Sequence, residues 1–300
     1  VLAVGLVLAA EAATVPGGVG PGAARGWSVL DQAWAAERSS AQVVVKDALT
    51  VPSRPARIEA RVIRQGLLRV VGLGGERLTL FVDGKEVGTA LSGGDGRAFF
   101  EHAVPMRGNH VIRVRITGSP RVQDAEGQAV LASWERRRPI LFVDMSALVE
   151  RPATPRLPLP PELLDFAGGQ RPKPVPLAAE ELTKLTAFYY NPIYLTRSGV
   201  DQMTGAGDVR EWLREHQFPT GLWMAIPPGP EALAAKLEEL EEAGWENLKA
   251  GIGASREFAE VLGKHRLETV FISDEADPKS LPRKVRVVKD WAEVRDSLQR

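Results

Sequence analysis

Pro139-Ile-Leu-Phe-Val-Asp-Met-Ser-Ala-Leu148 is the stretch on which the reading of this chain turns. Its unbroken apolar run has the length of a strand buried on both faces, and it delivers one carboxylate, Asp144, to the strand's end. Farther on, Pro192-Ile-Tyr-Leu-Thr196 repeats the design with a hydroxyl in place of the acid. In an open parallel sheet, reactive groups gather at the C-terminal ends of the strands. An Asp on one such end and a Thr on another are groups that phosphoryl-transfer chemistry uses.

Strand-like apolar runs stand at Ile140–Met145, Ile193–Leu195, Leu222–Ala225, Leu248–Ile252, Thr269–Ile272 and Val285–Val288. Helical patterns separate most of them. Glu180–Phe188 is one; Asp208–Gln217 is another, opening on a capping box of Asp208 and Glu211 and burying Val209, Trp212 and Leu213. Glu231–Ala243 places Leu233, Leu237 and Leu240 on one face. Ser255 is expected to cap Arg256–Gly263, and Asp290 with Glu293 to cap the last helix. Alternating β and α elements predict an α/β domain over 139–300: a doubly wound parallel sheet with helices on both faces. Arg151–Pro176 holds 8 of the 22 prolines. Such a passage cannot be regular structure, and a stiff flap over the strand ends is expected.

Upstream the period changes to two. Ile58, Ala60 and Val62 alternate with Arg57, Glu59 and Arg61, and Ile112, Val114 and Ile116 with Arg113 and Arg115. Strands with one wet face read this way. Asp83-Gly84 lies between Leu78-Thr-Leu-Phe-Val82 and Glu86-Val-Gly-Thr-Ala90, a hairpin signal because both turn positions tolerate positive φ. Gly93-Gly94-Asp95-Gly96 and Arg107-Gly108-Asn109 add turns. Six or seven short strands over 42–134 predict an all-β sandwich.

Composition bounds the function. The chain is 44% hydrophobic and 25% charged, and its 38 basic and 38 acidic side chains cancel. No global field draws it toward nucleic acid or anionic lipid, and nucleic acid is not an expected partner. Cysteine is absent, which excludes disulfides, thiolate nucleophiles and zinc–thiolate sites. His102, His110, His216 and His265 show no metal-ligand spacing. Val1-Leu-Ala-Val-Gly-Leu-Val-Leu-Ala-Ala10 is too short to span a bilayer and looks like the apolar region of an export signal, with Ala10-Glu11-Ala12 as a cleavage site. The expectation is a signal remnant over 1–13, a Gly/Ala-rich linker over 14–41 with a weak helical stretch at Ser28–Arg38, and no further transmembrane span. A lipoprotein anchor needs a Cys that is not there. The expected location is periplasmic or extracellular.

Two resemblances follow from these motifs. Val82-Asp-Gly-Lys-Glu-Val-Gly-Thr-Ala90, followed by Asp95-Gly-Arg-Ala98, resembles bacterial immunoglobulin-like domains, a likeness of fold rather than of catalysis. From Pro139 to Gln299 the chain resembles the haloacid dehalogenase superfamily, and within it the lipin-type domain of phosphatidate phosphatases. The likeness is best at Ile193-Tyr-Leu-Thr-Arg-Ser198, at Asp208-Val-Arg-Glu-Trp-Leu-Arg-Glu-His-Gln-Phe-Pro-Thr-Gly-Leu222, and at the glycine turn Gly251-Ile-Gly-Ala-Ser-Arg-Glu257. Active members end their first strand in D-x-D-G-T. The resemblance implies Asp144 as nucleophile, Thr196 as phosphate-binding hydroxyl, Lys236 (alternatively Lys249) as phosphate-binding Lys, and Mg²⁺ as cofactor on Asp144 and Glu257. Arg197, beside Thr196, would favour an anionic ligand. The implied partner is a phosphorylated small molecule or a phospholipid headgroup such as phosphatidic acid.

The motif is degenerate. Ser146 replaces the second Asp, and Ala147-Leu148 replaces Gly-Thr. A positioned general acid/base is worth about 10²–10⁴ in rate, or about 3–5 kcal/mol, and a serine near neutral pH does not replace it unaided. Ala254 stands where the family has an acidic or amide residue, leaving Glu257 as the nearby carboxylate; Asp274 and Asp277 are second-choice ligands. Three functions compete. The first is an exported protein that binds a phosphorylated ligand with catalysis weak or lost. The second is an active Mg²⁺-dependent phosphatase with Asp144 as nucleophile and Ser146 positioning a water. The third is a structural or adhesion protein carrying a relic domain of this fold. Oligomeric state is left open.

Overall fold

The computed structural model describes residues 38–66, 70–150, 172–197, 206–274, 276 and 278–299. The expected signal, most of the linker and most of the proline-rich passage lie outside the described residues. Ser39–Arg300 forms one compact unit. No helix among the described residues is long and apolar enough to cross a membrane.

The N-terminal half is built from β1 (Gln42–Val45), β2 (Ala48–Thr50), β3 (Ala56–Gln65), β4 (Val70–Gly72), β5 (Arg77–Val82), β6 (Lys85–Leu91), β7 (Arg97–His102), β8 (Gly108–Ile116) and β9 (Ala125–Ser133). β1, β3, β4 and β7 form one sheet, and a second runs β2-β9-β8-β5-β6. The period-two residues point inward: Ile58, Ala60, Val62, Ile112, Val114 and Ile116 are all buried in one core between the sheets. The Asp83-Gly84 turn joins β5 to β6 with φ of 48° and 83°. Both central residues are left-handed, as a two-residue hairpin that follows the strand twist requires. Ahead of β1, Ser39 bridges to Val122.

The C-terminal half contains β10 (Ile140–Asp144), β11 (Asn191–Arg197), β12 (Leu222–Ile226), β13 (Leu248–Gly253), β14 (Glu268–Ile272) and β15 (Val285–Val288). They form one parallel sheet in the order β12-β11-β10-β13-β14-β15. Between them run α1 (Ala178–Phe188), α2 (Ala206–Glu215), α3 (Pro230–Glu242) and α4 (Arg256–Lys264), with α5 (Val294–Gln299) at the end. Leu141 and Val143 face Leu182, Leu185, Trp212, Leu213, Trp291 and Val294 on one side of the sheet. Ile140 and Phe142 face Leu233, Leu237, Phe258 and Leu262 on the other. β10 is thus apolar on both faces because both faces carry helices. One expectation fails: Asp208 is the third residue of α2 rather than its cap. Ser255 does cap α4, accepting from the Phe258 N–H.

The halves are packed, not tethered. Trp134 and Ala132, at the end of β9, belong to the same apolar cluster as Phe142 and Leu233. Asp47, between β1 and β2, accepts from Val130 N (2.7 Å) in the sandwich, and from Trp223 N (2.7 Å) and Arg210 Nη2 (2.6 Å) in the α/β half. Arg210 also donates to the Gln128 and Val45 carbonyls. Asn109 makes a second bridge, donating to the Thr220 carbonyl while accepting from Trp134 Nε1. Even the Glu135–Arg138 connection is fixed: Arg136 donates to the Ala243 carbonyl and Arg138 to those of Thr186 and Tyr189, all at helix C-termini where a cation is favoured.

Asp47→Ala leaves a buried guanidinium and two buried N–H groups without their acceptor. It should cost about 3–5 kcal/mol in urea unfolding. The wild type should unfold in one transition, seen alike by tryptophan fluorescence and by far-ultraviolet circular dichroism.

Candidate functional site

β10 lies at the place where strand order reverses, with β11 on one flank and β13 on the other. A crevice opens at such a switch point, beyond the carboxyl ends of the strands. The side chain delivered there is Asp144, 3% exposed. As the chain leaves the sheet in a short 3-10 turn over Met145–Ala147, Asp144 caps it: its Oδ1 accepts from Ser146 N at 3.0 Å. Trp291 Nε1 holds the Ala147 carbonyl from below, so the turn cannot shift freely.

The parallel register pairs Asp144 with Leu195. Side chains alternate along a strand, so Arg197, two residues past Leu195, emerges on Asp144's face and Thr196 on the other. Arg197 Nη2 lies 3.3 Å from Asp144 Oδ2, and its Nη1 lies 2.7 Å from Glu257 Oε1. Glu257 arrives from the first turn of α4, directly after β13. One guanidinium therefore joins the ends of three neighbouring elements. Arg197 and Asp144 are largely buried, whereas the Glu257 side chain is 40% exposed. Arg197 Nε is buried and meets no acceptor among the described residues. Burial pushes the Asp144 carboxyl up; Arg197 and the Ser146 donors oppose this, Glu257 adds to it, and the balance stays raised.

The other expected site residues are placed differently. The Thr196 hydroxyl accepts from Trp223 Nε1 at 2.9 Å, on the face away from Asp144. Its expected pairing with Asp144 is corrected by the one-residue offset in register. Lys236 pairs with Glu239 one turn along α3 rather than with a group at the strand ends. Lys249 is the second residue of β13, remote from that strand's carboxyl end, and it pairs with Glu268. Asp274 is exposed beyond β14, and Asp277 lies outside the described residues. Ser146 is exposed, its N–H turned to Asp144. The glycine turn has a packing cause. A Cβ on Gly251 would stand 2.0 Å from Leu262 Cδ2, and one on Gly253 would stand 2.3 Å from Phe258 Cδ1. These glycines let α4 lie close on the sheet.

Mg²⁺ is held through one or two carboxylates while keeping several of its waters. Asp144 and Glu257 could supply two, but a cationic guanidinium occupies the space between them. As arranged, the residues do not fit the ion. Among the described residues, no group of three or more His, Asp or Glu side chains is placed to hold a metal.

Sequence reasoning also missed the buried pair Asp47–Arg210. Its one signal was an acid interrupting two short apolar runs, Val43–Val45 and Ala48–Leu49. Beside this pair a cleft of about 510 Å³ opens between the halves, lined by Gln42–Val45, Glu126–Val130, Arg210, Arg214 and Phe218–Gly221.

No protein-family model and no curated protein matches the chain. Among solved structures, the CARDB domain of PF1109 from Pyrococcus furiosus is similar over 33% of this chain and 98% of its own, at 10% identity and a TM-score of 0.23. The fibronectin(III)-like modules of Clostridium thermocellum CbhA match over 32% and 99%, at 13% identity and 0.21. A putative beta-phosphoglucomutase from Bacteroides vulgatus matches over 46% and 58%, at 16% identity and 0.33. Likeness at this level carries no argument about this chain's fold or function.

Arg197→Ala leaves Asp144 buried without its cation and should cost about 3–5 kcal/mol, whereas Asp144→Asn, which leaves Arg197 paired to Glu257, should cost about 1 kcal/mol. Adding Asp144→Asn to Arg197→Ala should recover part of the loss. A buried carboxyl with a raised pKa favours the fold while protonated, and that advantage fades as pH rises through the folded-state value. The Arg197→Ala deficit should therefore widen from about pH 4 to about pH 8 in urea titrations.

Proposed function

We propose that this protein works by docking rather than by turnover. In this reading it is a rigid body outside the cytoplasm, in which an immunoglobulin-like sandwich is fused to a doubly wound, haloacid-dehalogenase-like domain of lipin type that has lost metal-dependent phosphatase chemistry. The observation that carries the reading is Arg197 bridging Asp144 and Glu257. A nucleophilic Asp must have a free oxygen and a nearby divalent ion; here one oxygen accepts from Ser146 N and the other faces a guanidinium. The phosphate-binding set is dispersed as well, with Thr196 turned to Trp223 and Lys236 to Glu239. Packing of the halves through Asp47 and Arg210 suits a body that presents a fixed surface.

A second reading keeps a ligand: a phosphomonoester or phosphatidic acid headgroup bound without turnover. One observation favours it, the buried Nε of Arg197, which meets no acceptor among the described residues. Against it stands the charge of the cluster, two carboxylates to one guanidinium, which repels a dianion unless Glu257 swings away.

The experiment is a thermal-shift screen of the whole chain against inorganic phosphate, soluble phosphomonoesters and phosphatidic acid vesicles, with and without Mg²⁺, beside a phosphate-release assay. Docking predicts no shift and no release in any arm. A metal-independent shift abolished in Arg197→Ala would support the ligand reading instead. Mg²⁺-dependent release that disappears in Asp144→Asn would overturn both and restore the phosphatase.

A further inference from the structure

We propose that the cleft between the two halves binds an extended, acidic peptide segment of a partner protein, which adds to the open edge of β9 and brings a carboxylate to Arg214. The inference names the partner for the docking reading and rests on it. It starts from the backbone. β9 pairs with β8 along its whole length but with β2 only over Leu131–Ser133, which leaves 125–130 as a sheet edge. On that edge Gln128 gives its carbonyl to Arg210, and Val130 its N–H to Asp47. Alternate residues of an antiparallel strand direct both backbone groups to the same edge. Gln128 N–H and both groups of Glu126 therefore point the same way, and they meet no partner among the described residues. Glu126 and Gln128 both line the cleft. An open edge of this kind takes an extended chain through main-chain hydrogen bonds, and the surrounding side chains select among sequences.

Charge sets what the segment carries. Arg214 stands one turn beyond Arg210 on α2 and faces the same cleft. Its side chain is 74% exposed and reaches Glu211 only at 4.0 Å, beyond hydrogen-bond length. The neighbouring charges are spent: Asp47 neutralises Arg210, and Glu126 is held by Arg113 and Arg115. Four arginines thus stand against Asp47, Glu126 and Glu211, which leaves one positive charge over for a ligand carboxylate. The Gln42 and Gln128 amides are exposed and meet no partner among the described residues. Each offers a donor and an acceptor, the pair that a peptide group needs. Val111 and Pro219 supply apolar surface beside them. The volume of about 510 Å³ is that of a ligand-sized cleft.

The test is selection of a phage-displayed library of random heptapeptides on the whole chain, with the enriched sequences then made synthetically and measured by fluorescence polarisation. They should carry Asp or Glu at one fixed position. Arg214→Glu should weaken them about ten-fold, and selection on that variant should return Lys or Arg at the same position. Arg214→Gln keeps the comparison available if Arg214→Glu does not fold. N-methylation of alternate peptide residues should abolish binding in one alternation and spare it in the other, as pairing with a strand edge requires. Arg137→Glu makes the same charge change on an exposed side chain that does not line the cleft, and it should leave the affinity unchanged. No enriched sequence, or affinities untouched by both Arg214 variants, overturns the inference; so does equal weakening by Arg137→Glu, the mark of unspecific attraction. The docking reading survives those outcomes, since these variants leave Asp144 and Arg197 intact. It falls instead if the wild type releases phosphate, whatever the peptides do.

Discussion

A carboxylate at the end of a strand buried on both faces has to find a cation nearby. Asp144 meets that constraint through Arg197, and much of the C-terminal half is arranged around the pair. β10 is covered by helices on each side, so solvent cannot neutralise the charge. Its two neighbours are the strands whose ends supply the guanidinium and, through α4, the second carboxylate. Electrostatic necessity outweighs motif here. A guanidinium that must balance two acids is held by them, and it is poorly placed to receive a third.

The same solution recurs where the two halves meet. The Asp47 side chain is as buried as that of Asp144, and burial pushes its carboxyl up; Arg210 and the N–H groups of Val130 and Trp223 pull it back. Apolar contact from Trp134 and Ala132 supplies area, but it would tolerate sliding. Directional bonds to Asp47 and Asn109 do not. Among the described residues, two buried carboxylates are thus paired with largely buried arginines, one at the strand-end crevice and one fixing the sandwich to the sheet.

Much of the architecture was legible in the residues. Period two gave the inward faces of β3 and β8, Asp83-Gly84 gave a left-handed turn, and the six apolar runs from Ile140 onward gave the strands of the parallel sheet. Local chemistry governs each of these: steric limits on φ, the alternation of side chains, and apolar run length. The candidate site was legible only in part. Asp144, Arg197 and Glu257 were all singled out, yet as a nucleophile, an anion-binding group and a metal ligand, not as partners of one another. Thr196 was misjudged because a single-residue offset between neighbouring strands reverses the face a side chain occupies. The glycines at Gly251 and Gly253 look alike in sequence whether they cradle a phosphate or admit Phe258 and Leu262, and only the neighbours distinguish the two.

By itself, then, the sequence determined which segments are strands and helices, that one carboxylate ends a buried strand, and that the first half alternates while the second does not. Tertiary structure alone decided which charges face each other. Pairing depends on the register of β11 against β10, on the order of strands across the sheet and on the approach of α4. These are long-range relations with no local pattern to carry them. That is why Arg197 lies between two acids it is far from in sequence, and why Asp47 reaches Arg210 across the whole of the first half.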